Sequence, residues 1–140
     1  LPDILDAREA VDTKVAELAA RRRTADDLAA LDAALARMGR DIDEGLDGAS
    51  GDELFHQALV QAAHSPVLAS LYGHIAGMIK ESRIESLRQP GRPPKSLAQH
   101  RGIADAVRSG DTEQAARAAR HHVETVRKVR LLDWDPDETD

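Results

Sequence analysis

The chain has 140 residues, a formal net charge of −6, 41% hydrophobic but only 2% aromatic residues, and no cysteine. That length suits one domain with a real core, which must be built from Ala, Leu, Val and Ile. The missing thiol excludes disulfides and thiolate metal sites and fits a cytoplasmic protein, and the acidic balance argues against a broad nucleic-acid-binding surface. No apolar run approaches the roughly 18 residues of a membrane span, and the N-terminus lacks a signal-peptide core. Richness in Ala, Leu, Arg, Asp and Glu predicts an all-α fold.

In chain order, Ile4, Leu5, Val11, Val15, Leu18 and Ala19 recur at helical spacing and predict a first helix over 3–22. Arg21, Arg22 and Arg23 close it as a solvated basic end, where the helix dipole favours positive charge. Thr24 caps a second helix that carries Leu28, Leu31, Leu35 and Met38 to about residue 42. An acidic, glycine-containing loop follows over 43–49. Ser50 and Glu53 have the capping-box form and predict a third helix over about 51–63. Ser65-Pro66 starts a fourth, running to about residue 87, with Leu68, Leu71, Ile75, Met78 and Ile79 as its buried stripe.

The segment Gln89–Pro94 holds three prolines and a glycine and reads as a break. A fifth helix is expected over about 95–109, ended by Gly110. Asp111 caps a sixth that runs to about Leu132. The acidic tail 133–140 is expected to be disordered beyond Trp134. Six or seven helices with short connections imply a compact antiparallel bundle.

The histidines sort on helical wheels of about 100° per residue. Asp52 and His56 are four apart and share a face with Leu59 and Ala63. His100 falls with Leu97, Ala104 and Val107, and His122 lies within the stripe Ala115, Ala118, Ala119, Val126 and Val129. His64, His74 and His121 fall off these stripes or at their edges. One inward aspartate and three inward imidazoles from three helices suit a borderline divalent ion such as Zn, Ni, Co, Mn or Fe. Coordination is one way to satisfy polar groups that are costly to bury. A first-turn acid and hydrogen-bonded core histidines are the plainer account of the same residues.

The same positions carry a family resemblance. Asp52-Glu-Leu-Phe-His56 resembles the D-x-x-F-H motif of the FCD domain, the effector-binding half of FadR-subfamily regulators in the GntR family. Gln99-His100 through Gly110-Asp111 resembles that family's E-H-x-x-I-x-x-A-[LI]-x-x-G-D, and Arg120-His121-His122-Val123 resembles its M-R-x-H-[LI]. Arg8 and Asp12 resemble its first-helix arginine and acid. The resemblance spans roughly residues 3–132 and implies a domain over 1–132. It implies a divalent metal, zinc first, on Asp52, His56, His100 and His122. It also implies a small carboxylate effector near Arg8 and Arg83. For both arginines an inter-helix or surface salt bridge is the plainer alternative. The family implies a homodimer, and DNA contact only through an N-terminal winged helix-turn-helix that lies outside these residues.

The departures are His64 for the usual Asn, Asp12 for Glu and Gln99 for Glu; none removes a metal ligand. On this reading the chain senses a ligand and catalyses nothing. A metal-dependent helical hydrolase and a plain dimerisation module without ligand remain as alternatives, although no H-E-x-x-H motif or adjacent His-Asp pair is present.

Overall fold

In a computed structural model, which describes residues 2–130 and 135–137, the chain forms six α-helices: α1 (Pro2–Arg22), α2 (Ala25–Asp43), α3 (Ala49–Ala62), α4 (Pro66–Leu87), α5 (Arg92–Ser109) and α6 (Thr112–Arg130). Among the described residues there is no strand. Short connections join the helices, which pack as the expected all-α bundle. The most extensive packing is α1 on α6 and α2 on α3. The tail beyond Trp134, expected to be disordered, lies outside the described residues except for 135–137, which form a turn.

The core is aliphatic and small. Val15, Leu18 and Ala19 of α1 meet Leu31 and Ala34 of α2, Phe55 and Leu59 of α3, Ile103 and Val107 of α5, and Ala115 and Ala119 of α6. Alanines at the crossings let helices approach closely, which compensates for the shortage of large side chains. Met38, Leu87 and Leu97 form a smaller satellite cluster.

Three helix starts follow the sequence closely, among them that of α4, where Ser65 Oγ accepts from the Leu68 amide at 3.4 Å ahead of Pro66. Thr24 accepts from the Asp27 amide at 3.2 Å and Asp27 accepts from the Thr24 amide at 2.8 Å, a reciprocal capping box. Asp111 Oδ1 accepts from the Gln114 amide at 3.0 Å.

Others differ from the sequence reading. Ser50 does not cap α3: the helix begins at Ala49, because Gly48 adopts a left-handed φ of 78° and Asp47 Oδ1 already accepts the Ala49 amide at 2.9 Å. α5 begins at Arg92, three residues early, because Pro93 and Pro94 sit in a first turn whose amides need no helical partner. On α4 Leu71 and Met78 are exposed, whereas Ile75, Ile79, Arg83, Ser86 and Leu87 are buried. The stretch 66–79 is apolar on both faces, so its pattern cannot choose a rotation; the inward turn of Arg83 does.

The basic end of α1 is also less solvated than expected. Arg22 Nη1 donates to the Ala63 carbonyl and Arg23 Nη2 to the Arg108 carbonyl, both at 3.1 Å, closing the C-terminal ends of α3 and α5. His64, at a left-handed φ of 49°, places Nε2 2.6 Å from Asp27 Oδ2 and ties the α3–α4 corner to the start of α2.

The α2–α3 crossing depends on Gly51. A Cβ there would lie 2.5 Å from Met38 Cα, a clash with backbone that no rotamer relieves. Gly51→Ala is expected to destabilise the fold by about 2–4 kcal/mol. At Gly73, where nothing lies within 4 Å, the same change should be neutral or stabilise by about 0.5–1 kcal/mol. Urea denaturation of the two variants checks the contrast; equal midpoints would contradict it.

Candidate metal centre

Three helices deliver the four expected ligands to one buried point. Asp52 and His56 stand one turn apart on the inner face of α3, His100 projects from the middle of α5, and His122 from α6. All four are buried, His100 completely. One ring nitrogen from each of His56, His100 and His122 lies within 4.8 Å of the others. Asp52 Oδ1 is 3.5 Å from His56 Nε2 and 3.3 Å from His100 Nε2. His64, His74 and His121 are not part of the cluster, as the wheels anticipated.

Neighbouring groups fix how the rings point. Phe55 stacks on His100 with ring centroids 4.4 Å apart and planes 8° from parallel. Gln99 orients His122: its Oε1 is 2.7 Å from His122 Nδ1, and its Nε2 donates to Thr125 Oγ1 at 2.8 Å. Thr125 Oγ1 in turn donates to the His121 carbonyl at 3.2 Å. Since that hydroxyl spends its proton there, it accepts from the Gln99 amide, so the Gln99 carbonyl must face His122. His122 Nδ1 therefore carries the proton, and its Nε2 lone pair is left for the cluster.

The electrostatics keep the site in ligand form. Burial would push the Asp52 carboxyl up, but the His56 and His100 rings and the Arg83 guanidinium outweigh it and hold Asp52 well below the usual carboxylate range. Arg83 Nε lies 3.2 Å from Asp52 Oδ2. His100 is pushed down to about 3, by burial first, with Asp52 opposing and His56, Arg8 and Arg92 adding to it. His122 moves the same way, through burial, His100 and Arg8. Both imidazoles are neutral at pH 7, the form that ligates a metal.

The donor set fits a metal ion. His56 Nε2 and both ring nitrogens of His100 have no hydrogen-bond partner among the described residues, although they are inaccessible to water. Such atoms within one buried cluster are costly unless something binds them. One carboxylate oxygen with three imidazole nitrogens suits Zn²⁺ and related borderline ions.

Both sequence-nominated arginines point inward, and both make ion pairs. Arg8 Nε bonds Asp12 Oδ2 at 3.1 Å within α1, both side chains buried. Burial works against the Arg8 charge, but Asp12 outweighs it and keeps the guanidinium charged. Arg8 and Arg83 share the wall of a cavity of about 10 Å³ between α1, α4 and α6. A second cavity, also about 10 Å³, is bounded by Asp12, His56, Tyr72 and His122; each is about the size of one water.

Sequence reading missed Tyr72 and Arg92. Tyr72 stacks near His56, with centroids 6.3 Å apart, and burial, then Asp12, keeps its phenol protonated. Its signal was its place on the Ile75–Ile79–Arg83 stripe. Arg92 is almost completely buried; its signal was its position two turns before His100, hidden by the assignment of 89–94 to a break.

The architecture is thus an all-helical bundle with a buried Asp-His-His-His cluster and arginines beside it. The FCD domain family model matches residues 3–125, and the chain belongs to that family. Curated relatives are transcriptional regulators. The HTH-type transcriptional regulator LutR of Bacillus subtilis (strain 168) is 30% identical over 131 residues, covering 90% of this chain and 60% of its own length. The galactonate operon transcriptional repressor of Escherichia coli (strain K12) is 29% identical over 115 residues, covering 81% and 50%. The Uxu operon transcriptional regulator of the same organism is 28% identical over 140 residues, covering 94% and 54%. The chain spans only about half to three-fifths of the length of these relatives. No described helix is long and apolar enough to cross a membrane.

Two outcomes test the centre. In metal-free protein, His100 and His122 take up protons on unfolding once the pH falls below about 6.5, but in the fold only far lower. Stability present above that pH is therefore lost on acidification, by roughly 1.4 kcal/mol per pH unit per histidine. Carboxylates titrate mainly below about pH 4.5, so urea unfolding of chelated protein at pH 7.5 and 5 isolates the histidines; an unchanged midpoint contradicts the assignment. Gln99→Leu should weaken metal affinity about 10–100-fold by releasing His122, measured by chelator competition; wild-type affinity would remove Gln99 from the orienting role.

Proposed function

We propose that this chain is the ligand-sensing and dimerisation domain of a GntR/FadR-type transcriptional regulator. It binds a divalent metal through Asp52, His56, His100 and His122, zinc first among candidates and Ni, Mn, Co or Fe on the same donors. It binds a small organic-acid effector beside that metal. The observation that carries the reading is the cluster of buried donor atoms without hydrogen-bond partners. A bound divalent ion would supply a Lewis-acidic point for a carboxylate oxygen.

The chain's own residues do the rest. Arg8 and Arg83 supply guanidiniums, each held by an aspartate, that a carboxylate could engage. Tyr72 keeps its proton and offers a hydroxyl donor to the cavity beside His56 and His122. Asp12, opposite Arg8, gives a hydroxyl group an acceptor. One relative's name carries galactonate, a hydroxylated carboxylate, the chemical class such a lining suits. The two cavities beside the cluster are no larger than a water, so an effector there would enter by displacing α4 or α1. That displacement favours one helix arrangement over another and is the signal.

The homodimer, the cytoplasmic location and control of DNA binding by a winged head outside these residues belong to the same proposal. The relatives are transcriptional regulators rather than enzymes, and no observation favours the hydrolase alternative.

Purified protein is expected to carry about one divalent ion per chain, and His122→Ala to lose it along with the thermal stabilisation that carboxylates confer. Arg8→Gln should keep the metal and weaken carboxylate binding about tenfold. Elemental analysis and calorimetry check this. Metal-free wild type, together with a His122→Ala variant that keeps the wild-type thermal response to added metal, would overturn the reading.

A further inference from the structure

α4 has a second face that the metal centre does not use. Its inner face buries Ile75, Ile79 and Arg83, the last paired with Asp52. Its outer face carries Val67, Leu71 and Met78, which are 71%, 47% and 65% exposed. Only five large apolar side chains are exposed among the described residues, and these are three of them. Single exposed apolar residues are ordinary. These three are not scattered: spacings of four and seven place them within about 40° of one another on the α4 wheel, and the exposed His74 falls beside them. Gly77 borders the stripe. A Cβ there would meet nothing within 4 Å, so packing within the described chain does not call for glycine, although glycine weakens a helix interior. A bare backbone at that point does admit the close approach of another helix.

The charges along the stripe say what covers it. Residues 66–79 contain no Asp, Glu, Lys or Arg, and beyond them the stripe continues through the exposed Glu81 and Glu85. The other end of the helix is positive. The first-turn amides after Ser65 form the positive pole of the dipole. Arg22 Nη1 donates to the Ala63 and His64 carbonyls at 3.1 and 3.5 Å, and both Arg22 and His64 are exposed. A surface that is electropositive at one end, uncharged along the middle and acidic at the other is complementary to itself turned end for end. A parallel copy would instead set Glu81 and Glu85 against their own counterparts, which is repulsive.

We propose that the outer face of α4 docks a second copy of this chain, antiparallel, about a two-fold axis between His74 and Ile75. The proposal rests on the dimerisation part of the reading above and assigns it a face. In that register Leu71 comes level with Met78 of the second copy, and Met78 with its Leu71. Glu85 comes level with its His64, at the positive end of the other helix. The contact is isologous, so it closes as a dimer. Arg83 and the stripe stand on opposite sides of one helix, so an effector that displaces α4 also changes how the two copies pair.

The test uses sedimentation and thiol cross-linking of the full, metal-loaded chain. Wild type should sediment as a dimer. Met78→Glu should weaken association about tenfold or more, with helical content and metal content those of wild type, since the side chain is exposed in the single chain. The chain has no cysteine, so introduced thiols report alone. Under mild oxidation the double variant Leu71→Cys/Met78→Cys should cross-link into dimers and neither single variant should, because a disulfide forms only where Cα atoms lie within roughly 7 Å.

Single variants that cross-link to themselves, or a double variant that does not cross-link, overturn the antiparallel register. A dimer whose affinity Met78→Glu leaves unchanged puts the contact on another face; it overturns the α4 proposal while dimerisation and the metal and acid reading stand. Wild type that stays monomeric at every concentration overturns the α4 contact and dimerisation together.

Discussion

An ionised carboxylate sits at the centre of a core made mostly of alanine and branched aliphatics, and the rest of the molecule is arranged around that fact. Asp52 is 2% exposed, and an isolated charge there would be prohibitive. Three helices answer it. α3 supplies His56 one turn along, α5 supplies His100, and α4 is rotated so that Arg83 reaches the second carboxylate oxygen. The demand outweighs ordinary amphipathic packing: α4 leaves Leu71 and Met78 in solvent while burying an arginine and a serine. Charge satisfaction, rather than apolar area, sets the rotation of that helix.

Much of this was legible in the sequence because α3, α5 and α6 each carry a clear period. Asp52, His56, His100 and His122 fall on stripes of Leu, Ala and Val, so a wheel alone turns them inward. Family motifs then select the same four. Where the period is ambiguous, the reading fails for physical reasons. Residues 66–79 contain no Asp, Glu, Lys or Arg, so their pattern has no polar face to mark the outside. Prolines at 93 and 94 resemble a break, yet they are harmless in a first turn, and misplacing that start conceals Arg92. Ser50 has capping chemistry, but Asp47 and Gly48 terminate the loop first. Local rules of that kind compete, and sequence shows the competitors without the winner.

The second layer of the site was least visible. Gln99 precedes a histidine and looks like a polar surface residue; its role depends on a partner 23 positions away on another helix and on a threonine 26 away. Sequence spacing does not encode such contacts. The same holds for Arg8 and Arg83, which lie far apart in the chain and meet at one small cavity. A pocket assembled in this way from long-range pairs has few rigid walls of its own. Its volume is set by how closely α1, α4 and α6 approach, and two water-sized voids lie where those helices meet, one walled by Arg8 and Arg83 and the other by Asp12, Tyr72 and His122.

Aromatic scarcity has an optical side. The chain holds one tyrosine, one phenylalanine and one tryptophan, and two of these three are committed to the site. Phe55 lies flat on His100, and Tyr72 borders the cavity beside His56 and His122. Near-ultraviolet tyrosine dichroism in this molecule therefore arises from a single chromophore in a single place. Any rearrangement of the pocket is written into that band without a label, against a background that other bundles of this size fill with many rings.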